Sequence, residues 1–169
     1  MRGGDAEHHP ARRAASPPRR ASRLARYGDQ GSDRGAARIP REGVDCDAAA
    51  AVWAEALRAP GWDGPPVWLH ADLMPGNLLV DGGRLTSVID FGCLGVGDPA
   101  CDLFPAWNLL PADAREVFRE ALGVDDATWV RGRGRTLSQA LIALPYYRRT
   151  NPAMAQNARH VIRTVLDEG

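Results

Sequence analysis

Between Asn77 and Asp90 the chain doubles back on itself, and this reversal decides which side chains can meet. Asn77-Leu-Leu-Val80 and Arg84 to Asp90 are short runs of strand formers, Leu85 and Ile89 alternating with Thr86 and Val88, and Asp81-Gly82-Gly83 between them is a tight-turn sequence. The pattern predicts a β-hairpin. Its first strand starts and its second strand ends at the same edge, which brings Asn77 and Asp90 within about 10 Å of each other. Asp72, five residues ahead of Asn77, arrives at that edge too. Two carboxylates and a carboxamide are hard oxygen donors of the kind that suit Mg²⁺.

Helical patterns surround the hairpin. Asp47 reads as the N-cap of a helix over 47–59, with Val52, Trp53, Ala56 and Leu57 at helical spacing and a Pro- and Gly-rich stretch from Pro60 to Pro66 ending it. Val67, Trp68 and Leu69 form a short apolar stretch leading into His70. After a Gly-rich loop, Ala114, Val117, Phe118 and Ala121 mark a helix stopped by Gly123, and Val130, Leu137, Leu141 and Leu144 mark a second stopped by Pro145. A third starts at an Asn151 cap with Pro152 in its first turn, and turns Met154, Ala158, Val161, Ile162, Val165 and Leu166 inward. The expected class is α+β, mainly helical with an embedded β-hairpin.

A chain of 169 residues suits one compact domain, expected over residues 43–169. In residues 1–42 the sizeable apolar side chains beyond Met1 are Leu24, Tyr27 and Ile39, too few to offset ordering entropy, so an Arg/Pro/Gly-rich disordered segment is expected there. It carries ten arginines against five acids, the remainder eleven against sixteen, and the net charge of zero sums unlike parts. A nucleic-acid-binding arm would need interleaved aromatic residues or a recognisable fold, and the segment has neither. Cys46, Cys93 and Cys101 are too widely spaced for a metal knuckle and are expected to be reduced, small buried side chains. The longest uncharged stretch, Thr136 to Tyr147, is too short to span a bilayer, and the opening residues lack a signal peptide's apolar core; a cytoplasmic protein with no membrane partner is expected.

Three motifs stand in order across 36 residues: Trp68-Leu-His-Ala-Asp-Leu-Met-Pro-Gly-Asn-Leu-Leu79, Val88-Ile-Asp-Phe-Gly92 and Gly97-Asp-Pro-Ala-Cys-Asp-Leu103. Together they resemble the aminoglycoside phosphotransferase family of the protein-kinase-like fold, whose members run W-x-H-G-D-x-x-P-x-N-L-L, then V-I-D-F, then G-D-P-x-x-D-L. The resemblance covers residue 43 to the C-terminus, the part that forms the C-terminal lobe of such kinases. It implies transfer of the ATP γ-phosphate to a hydroxyl of a small molecule, with Asp72 as catalytic base and Asn77 and Asp90 holding the Mg²⁺ ions that bridge the ATP phosphates. His70 and Asp102 would support the catalytic loop, Asp102 by bonding its amides, and Asp98 would start the next turn. Two positions depart from the pattern. Ala71 replaces a glycine, at a cost of about 1 kcal/mol or more if the backbone there needs positive φ, and Met74 stands where relatives often carry a polar or histidine residue.

The same resemblance calls for an N-terminal lobe with a phosphate-gripping lysine under a Gly-rich loop. All 21 basic side chains are arginine, and residues 1–42 do not read as such a lobe. A truncated form of doubtful activity, completed by a missing N-lobe or a partner chain, is therefore expected. Two other classes compete: a non-catalytic remnant that binds metal or a partner, and a metal-dependent hydrolase using His70, Asp72 and Asp90. The substrate is not legible, although Asp113, Glu116, Glu120, Asp125 and Asp126 offer negative charge to a cationic acceptor.

Overall fold

In the computed structural model, which describes residues 43–168, the first helix is capped by a different aspartate from the one its sequence suggests. Helix α1 (Cys46–Arg58) has Asp45 at its N-cap, whose carboxylate accepts from the amides of Asp47 and Ala48 at 3.1 and 3.0 Å. Asp47 instead places its charge against the positive end of the helix dipole. The disorder expected of residues 1–42 lies outside the described residues.

Strand β1 (Val67–Leu69) leads into His70, and the expected hairpin follows as β2 (Leu78–Asp81) and β3 (Arg84–Val88), with Leu78 opposite Val88. Gly82 and Gly83 both take positive φ, 53° and 77°, which the reversal demands and glycine supplies without steric cost. The stretch read as a Gly-rich loop contains a further strand, β4 (Gly95–Gly97), antiparallel to β1. Its three residues are too short and too glycine-rich to show an apolar alternation, and pairing with a distant segment makes it a strand.

The core is helical. Helices α2 (Phe104–Asn108), α3 (Ala112–Leu122), α4 (Asp126–Tyr147) and α5 (Pro152–Leu166) bury Leu103, Trp107, Leu137, Val161 and Val165 almost completely. Helix α1 lies so close to α4 that a Cβ built on Gly134 would come within 2.2 Å of the Ala56 Cβ. Gly123 ends α3 with φ 61°, and Asn151 caps α5 through the Met154 amide, both as expected. Pro145 does not stop α4, which continues to Tyr147. The missing N–H forfeits one bond to Leu141 in the last turn, and burial of Leu137, Ala140, Leu141 and Leu144 on the same helix offsets it. The thiols also differ from expectation, since Cys46 and Cys93 are exposed and Cys101 is half-buried; all three are free. No described helix is long and apolar enough to cross a membrane.

Candidate active site

Asp102 organises the loop between β1 and the hairpin. It sits at the end of a short 3₁₀ turn, Pro99–Asp102, and its two carboxylate oxygens accept from the His70 and Ala71 amides, both at 2.7 Å. Charge-assisted bonds to two successive amides hold the loop in a conformation that ordinary local preferences oppose, for Ala71 has φ 62°. The His70 ring is buried and its tautomer follows from its partners. Nε2 lies 2.9 Å from the Ile89 carbonyl, which can only accept, and Nδ1 lies 3.3 Å from the Asp72 amide, which can only donate. His70 is therefore neutral with its proton on Nε2, bracing the loop against β3, and the Phe91 ring stands edge-on to it at 4.7 Å between centroids. With both nitrogens bonded to backbone, His70 has no lone pair free for a metal.

The loop presents Asp72 to Asn77. The Asn77 amide group donates to the Asp72 backbone carbonyl at 2.8 Å and to its carboxylate Oδ2 at 3.1 Å, and among the described residues no donor reaches Asp72 Oδ1 or Asn77 Oδ1. The Asn77 carbonyl accepts from the Ile89 amide at 3.0 Å, so Asp90, one residue on, leaves the same end of the hairpin as Asn77. Asp90 is exposed, has φ 60°, and caps the following 3₁₀ turn, Phe91–Cys93, through the Gly92 amide at 3.3 Å. Aspartate tolerates this left-handed conformation better than most residues. None of the three side chains is in the core.

This donor set fits Mg²⁺ held in part by phosphates. Among the described residues no three His, Cys, Asp or Glu side chains are placed to form a metal cage. Mg²⁺ seldom uses one, preferring one or two carboxylates with water and phosphate oxygens completing the octahedron, and Asp90 with Asn77 Oδ1 would supply that share. The hydrolase alternative needs His70 as a ligand and loses it to the Ile89 and Asp72 backbone.

Asp98 is held away from this edge. Its carboxylate caps the Ala100 amide at 2.9 Å and pairs with Arg131 of α4, Nε to Oδ2 at 2.8 Å and Nη2 to Oδ1 at 3.2 Å. Arg131 also donates to the Thr128 hydroxyl at 3.0 Å and to the Pro60 carbonyl, tying the 98–102 turn to the helical core. The sequence gives no sign of Arg131, which lies 33 residues from its partner. Between these groups, burial pushes the Cys101 thiol pKa up, with Arg135 opposing the shift.

Residues 5–137 match the sequence model of the phosphotransferase enzyme family, APH. Among solved structures, the apoenzyme of a macrolide 2′-phosphotransferase, MphH, from Brachybacterium faecium is 23% identical with a TM-score of 0.53, over 84% of this chain and 49% of that one. A thermostable mutant of an aminoglycoside phosphotransferase, also 23% identical, has a TM-score of 0.48 over 78% of this chain and 46% of its own. The chain thus spans about half the length of these solved proteins. No curated protein sequence matches it.

Proposed function

The chain belongs to the phosphotransferase enzyme family, and from that premise we propose that residues 43–169 are the catalytic half of a small-molecule kinase that moves the ATP γ-phosphate to a substrate hydroxyl. The observation that carries this reading is the clasp of Asn77 on Asp72, which ties the base to the metal-binding edge through one side chain. With Oδ2 engaged by Asn77, Asp72 keeps Oδ1 to accept the proton of an incoming hydroxyl. Transfer forms a bond from that oxygen to the γ-phosphorus and breaks the bond to the β-phosphate oxygen, the proton passing to Asp72. Asn77 Oδ1 and Asp90 would hold Mg²⁺, which supplies charge neutralisation on the phosphate oxygens. Asp102 acts on none of these atoms; it holds the His70–Asp72 loop so that Asp72 keeps its aim.

The described residues contain no phosphate-gripping lysine, and apolar side chains on and beside the hairpin lie open: Trp68 is 75% exposed, Val80 63%, Leu85 60% and Phe91 54%. This exposure supports a reading in which a nucleotide-binding lobe covers that face in the active enzyme. The test is a screen of hydroxyl compounds with γ-labelled ATP and Mg²⁺, run on this chain and on this chain joined to the nucleotide-binding lobe of a family member. Little labelled product is expected from the chain alone, and labelled product from the joined form that disappears in Asp72→Asn. Transfer that survives Asp72→Asn refutes the assignment of the base, and absence of transfer in both forms favours a non-catalytic binding module.

A further inference from the structure

A cavity of about 310 Å³ opens between the C-terminal half of α4 and the N-terminal half of α5, and one of its walls is Met74. That residue belongs to the catalytic loop. Its amide donates to the Asp72 carbonyl at 2.8 Å and its carbonyl accepts from the Asn77 amide at 2.9 Å, so the wall is fixed to the base and to the metal-binding edge by two backbone bonds. Phe104, Tyr147 and Met154 are among the other apolar side chains that line it, and Gln139 and Asn157 supply neutral polar groups. Among the described residues, none of the lining side chains is charged at neutral pH. The acids that offered attraction to a cation are elsewhere: Asp113, Glu116 and Glu120 lie on α3 and Asp125 and Asp126 at the start of α4, and none of them lines the cavity.

We propose that this cavity is the acceptor site and that it takes an uncharged alcohol with an apolar body, its hydroxyl turned toward Asp72. The volume is at the lower end of small-ligand pockets, enough for a ring system of modest size or for one face of a larger molecule. An ammonium group entering it would lose part of its hydration and meet no carboxylate among the described lining residues, whereas a neutral alcohol gains apolar burial and can bond Gln139 or Asn157 with its other polar groups. Met74 is consistent with the same preference, since a flexible thioether fits an apolar ligand and offers little to a cationic one. The role of Asp72 here rests on the phosphotransferase reading; the preference for a neutral, apolar ligand rests on the cavity alone.

The chain supplies its own reporters, because both methionines among the described residues, Met74 and Met154, line the cavity. The experiment is a titration of ¹³C-methyl-methionine-labelled protein with menthol, a neutral apolar alcohol, and separately with glucosamine, a cationic amino sugar. Menthol is expected to shift the Met74 and Met154 methyl signals, with an affinity at least about tenfold above that of glucosamine. Ala143→Phe, which fills the cavity, should abolish the shifts; Ile142→Trp, at its exposed rim, serves the same purpose where the first variant does not fold. Equal or stronger shifts with glucosamine, no shift with menthol, or shifts that survive both variants would overturn the proposal. Failure of the phosphotransferase reading shows elsewhere, as transfer independent of Asp72, and leaves these signals as they are.

Discussion

Replacing Ala71 by glycine should make the protein more stable, against the usual effect of adding a glycine. Ala71 sits at φ 62° with its amide bound to Asp102 Oδ1 at 2.7 Å, so the left-handed conformation is imposed by a charge-assisted bond from outside the loop. An L-residue pays about 1–2 kcal/mol for that conformation because its Cβ crowds the backbone carbonyl, and glycine has no Cβ. Against this gain stands the greater freedom of glycine in the unfolded chain, worth about 0.4–1 kcal/mol. Taken at their midpoints, the two leave a net stabilisation of about 0.8 kcal/mol, or roughly 3 °C in Tm for a domain of this size. Ala71→Val, β-branched and less able to adopt positive φ, should shift stability the opposite way. Urea titrations followed by tryptophan fluorescence measure both, and the midpoint should move with an unchanged slope. A destabilising Ala71→Gly would show that the loop does not hold positive φ in solution, and with it that Asp102 does not enforce a strained backbone at residues 70–72.

Two further expectations follow from groups outside the site. Glu168 receives the Trp107 indole N–H at 2.6 Å and pairs with Arg115, whose side chain is 8% exposed, so Glu168→Ala leaves a buried guanidinium uncompensated and should cost about 3 kcal/mol in a denaturant titration, while Glu168→Gln should cost less. Asp125 caps α4 by accepting the Thr128 amide at 2.6 Å, and that backbone bond, with the Thr128 hydroxyl second, holds its pKa below the ordinary 3.8. Because the folded-state pKa is the lower one, the cap contributes stability above about pH 3.8 that is lost as pH falls further; unfolding midpoints across pH 6 to 2 should fall less steeply in Asp125→Asn than in the wild type.

Features set by near neighbours in the chain were legible in the sequence. The hairpin turn at Gly82 and Gly83, the Gly123 terminus and the Asn151 cap each depend on a few consecutive residues, and each lies where the pattern put it. Features set by distant partners were not. Strand β4 exists because Gly95–Gly97 pairs with Val67–Leu69, and Arg131 reaches Asp98 across 33 residues. The choice of Asp45 over Asp47 turned on two hydrogen bonds that either aspartate could have made in principle. Pro145 was overridden by the apolar face that it interrupts. In the candidate site, the order and spacing of Asp72, Asn77 and Asp90 could be read directly, while the Asp102 clamp on two amides could be anticipated only from the family resemblance. The cavity beside Met74 needed the packing of α4 on α5.

The central claim is that Asn77 and Asp90 form one cation site at the end of the hairpin, next to Asp72. Mn²⁺ tests it most directly, since it takes the oxygen ligands that Mg²⁺ takes and broadens nearby nuclear resonances even when bound weakly and briefly. With ATP and Mn²⁺ added to ¹⁵N-labelled protein, broadening should centre on the Asn77 side-chain amide and the backbone amides of Asp90 and Asp72, and should vanish in Asp90→Ala. Broadening centred on the acids of α3, or unchanged by Asp90→Ala, would contradict the account.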